Sequence, residues 1–342
     1  MENLQKFIDQ NNLERYRLKQ LFQQYYVDGI ESWDDLTTWP LDIREKLKET
    51  IPFSKLENFQ EYIAKDKKTI KTLSFTKEGF PVETVLMKYP ERNTVCVSSM
   101  SGCPVGCTFC ATGQMGFNKN LDTQEIIDQV LYFKRRLSKE DEKITNIVYM
   151  GMGEPMLNLE NVARSIDILT DPEKIALGRR RITVSTVGYV EQLDQFLSMD
   201  LGVKIALSLH APNQELREKL MPTAAKNNPL DKLMEVLEDY QDRSNKKITY
   251  EYILIKDIND SKRHAKELAD LLGDQIVLVN LIRLNPSPLT PFEPSSMNKT
   301  HSFQDILNEE GINNTLRQSY GDEINAACGQ LANIQKDAKR VD

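Results

Sequence analysis

No apolar run in this 342-residue chain approaches the roughly 18 residues that would cross a bilayer, so no membrane partner is expected. Residues 1–10 carry acids and amides where a secretory signal needs a basic patch and an apolar stretch, which makes a cytoplasmic location the expectation. A basic excess is also missing. The 44 Lys and Arg stand against 51 Asp and Glu, a net charge of −7, so an RNA ligand would have to find local basic patches. Histidine is scarce, at three residues, and cysteine is odd in number, at five. Three of the cysteines crowd into eight residues, which suits a metal site with reduced thiols better than a disulfide framework.

What is present is an ordinary globular composition, 40% hydrophobic and 28% charged, in a chain long enough to bury a sizeable core. Residues 1–72 read as a helical accessory unit. Leu18, Leu21, Phe22 and Tyr25 recur at helical spacing, and 41–47 and 56–63 repeat the pattern. Residues 73–95 read as a β-hairpin extension turning at Glu78 and Gly79. Strand candidates then follow at 94–99, 146–150, 182–186, 204–208, 248–255, 276–282 and 314–318. Between them lie amphipathic helices at 123–136, 159–169, 230–242 and 261–272. Such alternation predicts an α/β fold on a parallel sheet, doubly wound or curled into a full or partial barrel. The catalytic body is expected over 96–325, with 326–342 as a C-terminal segment.

The unusual residues fall at the ends of these strands. Three cysteines follow the first, Gly151 to Pro155 the second, and Ser185 ends the third. Ser208 and His210 end the fourth, Asn285 follows the sixth and Cys328 the last. Active sites of parallel sheets lie at the C-terminal ends of their strands, so these dispersed residues are predicted to converge on one mouth.

Cys103, Cys107 and Cys110 supply three thiolates from one loop, whereas an iron–sulfur cube takes four ligands, so one iron would stay open to a substrate. A structural zinc site completed by Cys96 is the alternative; zinc sites more often pair two short ligand knuckles, and His210 is remote. Gly151-Met152-Gly153 lacks the third glycine of a dinucleotide fingerprint.

With Phe109 as the aromatic of C-x3-C-x-aromatic-C, and with Gly153-Glu154-Pro155, the sequence resembles the radical S-adenosylmethionine (SAM) superfamily. Segments 110–121, 150–158, 208–213 and 326–332 are similar to the RlmN/Cfr family of radical SAM RNA adenosine methyltransferases, over residues 16–332. The resemblance implies a partial (β/α)6 barrel with a small N-terminal helical domain, and a [4Fe–4S] cluster on Cys103, Cys107 and Cys110. It implies SAM contacts at Gly153, Glu154, Ser185, Ser208, Leu209, His210 and Asn285. It also implies a methyl-accepting Cys328, a base at Glu83 and a resolving thiol at Cys96. The partners implied are 23S rRNA, tRNA as a further substrate, and an electron donor such as flavodoxin or ferredoxin.

Taken alone, Cys96 reads as strand packing and Glu83 as a solvated side chain. Departures from the family pattern include Met100, Arg283 with Leu284, and Asn325, and 170–172 leans towards the Cfr branch, which methylates adenine C8. Met156-Leu157-Asn158 leans back to RlmN and to C2, the favoured position. RNA contacts are expected at Lys65, Lys67, Lys68 and Lys71, and at Arg179, Arg180 and Arg181; each run could equally be a solvated surface. A zinc-stabilised RNA-binding protein, and a radical SAM enzyme acting on a small molecule or another protein, are the competing readings.

Overall fold

The computed structural model describes residues 2–332 except Asp274 and Ser319. Its strands are β1 (Leu56–Ile63), β2 (Thr69–Thr76), β3 (Pro81–Tyr89), β4 (Arg92–Val97), β5 (Met100–Gly102), β6 (Phe117–Asn120), β7 (Asn146–Tyr149), β8 (Ile182–Thr186), β9 (Lys204–Ser208), β10 (Ile248–Leu254), β11 (Val277–Arg283) and β12 (Asn314–Arg317). Ten form one sheet in the order β1-β2-β3-β4-β7-β8-β9-β10-β11-β12, with β5 and β6 a separate pair. Strands β1 to β4 run antiparallel to their neighbours, and from β4 to β12 every pairing is parallel. A helix follows each of β7, β8, β9, β10 and β11, and Thr123–Ser138 follows β4, which makes six strand–helix units. Edges β1 and β12 do not pair with one another, so the curl is a partial barrel.

The parallel strands bury both faces and carry apolar runs, for which local composition suffices: Ile147, Ile182, Val184, Ile205, Val279 and Leu281 all lie in one core. The helix Thr123–Ser138 begins at a capping box in which Asp122 accepts from the amides of Gln124 and Glu125. It buries Ile126, Ile127, Val130, Leu131 and Phe133 against the sheet. Its outer face docks the N-terminal helices through Asp128, whose carboxylate accepts from Lys55 N at 2.6 Å and from Ser54 Oγ at 3.0 Å. Tyr25 stacks on Trp33 beside that joint, and Phe53 meets Trp33 edge to face.

The helical reading of 56–63 is corrected. Leu56, Phe59 and Ile63 sit three and four residues apart and imitate a helix, but the segment is edge strand β1. A bulge between Glu57 and Gln60, with Asn58 at φ 56°, breaks the two-residue alternation that would have revealed a strand. Phe59 stacks on Tyr132 at 4.3 Å and covers that edge. The helices therefore end at Thr50, and 56–76 already belong to the sheet.

Candidate active site

The loop after β4 carries Cys103, Cys107 and Cys110, and it is held from two sides. Thr108 N–H donates to Leu220 O at 2.9 Å, and the short helix Ala111–Gln114 begins immediately after Cys110. The loop after β7 packs directly on the end of β4. A Cβ on Gly151 would stand 2.7 Å from Ser98 Oγ, and one on Gly153, at φ +100°, would stand 2.5 Å from Met100 Cβ. Glycine is therefore required at both positions. Met100, where the resembling family usually has Gln, closes this contact and takes the Glu154 N–H on its sulfur at 3.4 Å. Gly153→Ala should lower the melting temperature and abolish SAM binding measured by calorimetry, because φ and space both oppose a side chain there.

Glu154 is buried and already receives three donors: Met156 N–H at 3.0 Å and Thr186 Oγ1–H at 2.5 Å on Oε1, and Val187 N–H at 2.9 Å on Oε2. Burial pushes its pKa up, and these bonds oppose the shift. The carboxylate thus fixes the loop to the end of β8 and keeps acceptor capacity on Oε2 alone. Ser185 and Ser208, on neighbouring strands, lie Oγ to Oγ at 3.2 Å. His210, at φ 58°, accepts the Ile253 N–H on Nδ1 at 3.1 Å, so Nε2 carries the ring proton. Burial lowers its pKa to about 3, with Arg217 adding to the effect, and the ring is neutral. Leu209 has its side chain in the core, and its backbone N–H donates to Glu251 O at 3.1 Å.

Gly153, Glu154, Ser185, Ser208 and His210, with the three cysteines, line one cavity of about 150 Å³, whereas Leu209 and Asn285 are not in its lining. Cys328 lines it too, and the structure shows how a thiol more than 200 residues from the cluster loop gets there. Ala111 N–H donates to Gly329 O at 2.7 Å and Thr112 Oγ1 to Leu331 O at 2.5 Å. Asn285 Nδ2 donates to Cys328 O at 3.1 Å and Gln330 Nε2 to Pro286 O at 2.8 Å. The cluster loop and the loop after β11 thereby clamp the C-terminal segment from both sides. Asn285 thus acts on the Cys328 loop itself.

A second cavity, about 100 Å³, adjoins the first at Cys328 and is lined by Val85, Met87, Cys96, Arg317 and Tyr320 among others. Cys96 pairs in register with Val85 and faces this cavity, where it groups with Cys328 and Arg317. Burial pushes its thiol up to about 12, with the neighbouring Cys328 adding to the shift and Arg317 opposing it. Cys110 lines this cavity too, but Cys103 and Cys107 do not, so among the described residues Cys96 does not complete a four-sulfur zinc set with all three. Glu83, read as solvated, is 1% exposed and ion-paired with Lys71 at 2.7 Å. Breaking such a buried pair costs roughly 3–5 kcal/mol, so the pair must be part of the native state.

The fold meets the demands of an iron–sulfur cluster and SAM. The Cys103, Cys107 and Cys110 thiols are pushed up by burial, Cys103 to about 12, and a bound cation reverses that by holding them as thiolates. Among the described residues no three His, Cys, Asp or Glu side chains gather tightly enough for a single metal ion, whereas a cube spreads its ligands over its corners. In the same cavity Glu251 Oε2 is buried with no hydrogen-bond partner among the described residues, an acceptor waiting for a polar ligand.

Residues 97–272 match the radical SAM superfamily. A relative in Aquifex aeolicus, named "Probable dual-specificity RNA methyltransferase RlmN", is 43% identical over 100% of this chain and 98% of its own. One in Nitrosopumilus maritimus, named "Ribosomal RNA large subunit methyltransferase N", is 38% identical over 96% of each. A crystal structure of a radical SAM methyltransferase from Sphaerobacter thermophilus superimposes with a TM-score of 0.93, at 42% identity and 96% coverage of each chain. The chain belongs to the RlmN/Cfr family of radical SAM methyltransferases.

The fold places the residues expected to meet RNA and withdraws one of them, Lys71. Arg179, Arg180 and Arg181 are exposed but precede β8, so they lie at the strand end opposite the mouth where Ser185 sits. Lys71 is 3% exposed and committed to Glu83, so it offers no charge to a phosphate. Lys65, Lys67 and Lys68 are exposed on the β1–β2 turn, and Lys65 N–H bonds Glu323.

Sequence reasoning missed three charged residues, Arg217, Glu251 and Arg317, and gave Lys71 to RNA rather than to Glu83. Arg217 is fully buried, donates to Val187 O and Asn228 O, and brings positive charge towards Cys107 and Glu154. Arg317 borders both cavities, and Cys328 is the main influence raising its pKa. The available signal was a charged residue inside an otherwise apolar strand, as at Glu251 in β10.

Proposed function

We propose that this RlmN/Cfr family member methylates C2 of an adenosine in RNA, first in the peptidyl-transferase centre of 23S rRNA, through a methyl group carried on Cys328. The observation that carries this reading is that Cys328 lines two adjoining cavities, one with Cys103, Cys107 and Cys110, the other with Cys96 and Cys110. When bound at the first cavity, the cluster and SAM supply the methyl group and the hydrogen-abstracting radical. Gly153, Glu154, Ser185, Ser208 and His210, which line that cavity, would hold SAM there, with Leu209 and Asn285 contributing from the strand ends beside it. Cys103, Cys107 and Cys110 would hold the cluster.

The protein's own residues divide the remaining work. Adenine C2 is electron-poor and does not attack a methyl sulfonium, so the carbon must reach it from a sulfur of the protein. Cys328 accepts the methyl group and delivers the carbon to the ring, a covalent step suited to a thiolate. Glu83 takes the ring proton. Cys96, as a thiolate, attacks the Cys328 sulfur, and the carbon–sulfur bond breaks with its electron pair left on the carbon, which takes up a proton to become the methyl group. The one odd electron of the adduct would return to the bound cluster, and a Cys96–Cys328 disulfide is left for a reductant to reopen. The target base must be flipped out to enter the second cavity.

The "dual-specificity" name of relatives such as that in Aquifex aeolicus supports a tRNA adenosine as a further substrate, and flavodoxin or ferredoxin fits the need for an electron donor. Anaerobic incubation with unmodified 23S rRNA, SAM and a reductant should give 2-methyladenosine by nucleoside mass spectrometry. A product containing only 8-methyladenosine would move the protein to Cfr-type chemistry.

A further inference from the structure

Glu83 on β3 and Cys328 on the C-terminal segment belong to separate pieces of chain, and one side chain joins them. Lys71, on β2, places Nζ 2.7 Å from Glu83 Oε1 and 3.3 Å from the carbonyl of Asn325, three residues before Cys328. Both charged groups are withdrawn from water, at 3% and 1% exposure, and Nζ lies 5.5 Å from the Tyr62 ring. The Asn325 residue is held at φ 52°, and Ile324 and Ala326 on either side of it are packed with Tyr62, Leu73 and Val85. Glu83 is two residues from Val85, hence on the same face of β3, and Val85 lines the cavity that contains Cys96.

An ion pair here gives the fold nothing that packed apolar side chains could not, since replacing buried pairs by well-packed hydrophobes is often neutral or stabilising. A base, by contrast, must stand ionised and oriented before its proton arrives. We propose, on the reading given under Proposed function, that Lys71 is a positioning residue which holds the Glu83 carboxylate for ring deprotonation and couples it to the segment carrying Cys328. In that step the ring C–H bond breaks, its electron pair stays in the ring, and the proton forms an O–H bond on Glu83. The Lys71 ammonium, its partner then neutral, keeps the Asn325 carbonyl as an acceptor.

The test uses cluster-loaded full-length chain, unmodified 23S rRNA, SAM and dithionite, and reads methylation of the Cys328 peptide, 5′-deoxyadenosine, RNA–protein adduct and methylated product separately. Glu83→Gln should cut product about 100-fold while adduct accumulates. Lys71→Met should do the same in kind, at about tenfold or more, with Cys328 still methylated and 5′-deoxyadenosine still formed. Lys71→Arg should restore most of the product. The double variant Lys71→Met/Glu83→Gln removes both charges of this pair together, so neither is left without the other; it should fold even if Lys71→Met does not, and it should match Glu83→Gln alone. Parent-level product in Lys71→Met, or a further loss in the double variant beyond Glu83→Gln, overturns the positioning role. Absence of adduct in Glu83→Gln overturns the base assignment itself.

Discussion

Replacing Cys96 with Ala should leave iron content and SAM cleavage unchanged and trap the RNA as a covalent adduct through Cys328, whereas Cys328→Ala should give neither adduct nor methylated RNA. The two thiols share the second cavity but differ in setting. Cys328 is part-exposed and borders both cavities, so it can meet SAM on one side and RNA on the other. Cys96 is buried, faces the second cavity alone and is pushed up to about 12. At neutral pH it rests as a thiol, and the thiolate is the attacking species. Because that pKa lies above the working range, thiolate rises with pH throughout it. Adduct release in the parent protein should therefore accelerate by up to about tenfold per pH unit, until another step limits the rate. The measurement is a denaturing gel of labelled RNA with peptide mass spectrometry. Cys328→Ala turning over at the parent rate would exclude the methyl-cysteine route.

Loss of any one of Cys103, Cys107 or Cys110 should abolish iron and sulfide retention and, with it, 5′-deoxyadenosine formation. Cys96 lies in the second cavity, Cys328 lines the first but is held by its backbone in the clamped segment, and His210 spends Nδ1 on the Ile253 amide. Two remaining thiolates in a site where burial opposes ionisation cannot hold a cube. Iron and sulfide analysis of anaerobically purified variants checks this directly; about four of each in the parent and near zero in each variant is expected. Stoichiometric zinc without sulfide in the parent would remove the cluster assignment.

The parallel part of the fold was legible because its signals are local. Strands β8 and β9 occupy the residues their β-branched and apolar runs predict, and the helices at 123–138 and 159–170 carry the expected stripes. The antiparallel extension was less legible. In β1 a bulge erased the alternation, and the partner strand, which decides the matter, is invisible to a window of a few residues. The place of the basic run Arg179 to Arg181 was not legible for a related reason: strand direction, which puts it at the end of β8 away from Ser185, is settled only by the sheet.

The sequence by itself determined the chemistry available to this protein: three thiols at a spacing suited to an open-ended cluster, a Gly-Glu-Pro turn, a further thiol among small residues, and too little basic charge to bind nucleic acid without selection. Spacing along the chain suffices for these because each motif acts within its own loop. Tertiary structure decided how they cooperate. It set Cys328 in the lining of two adjoining cavities, assigned Cys96 to the second, buried Glu83 against Lys71, and turned Asn285 into a clamp on the Cys328 loop. Those facts depend on contacts between residues up to 254 positions apart, such as Lys71 with Asn325. Burial and ion pairing arise when segments meet, and no local pattern of residues encodes which segments will.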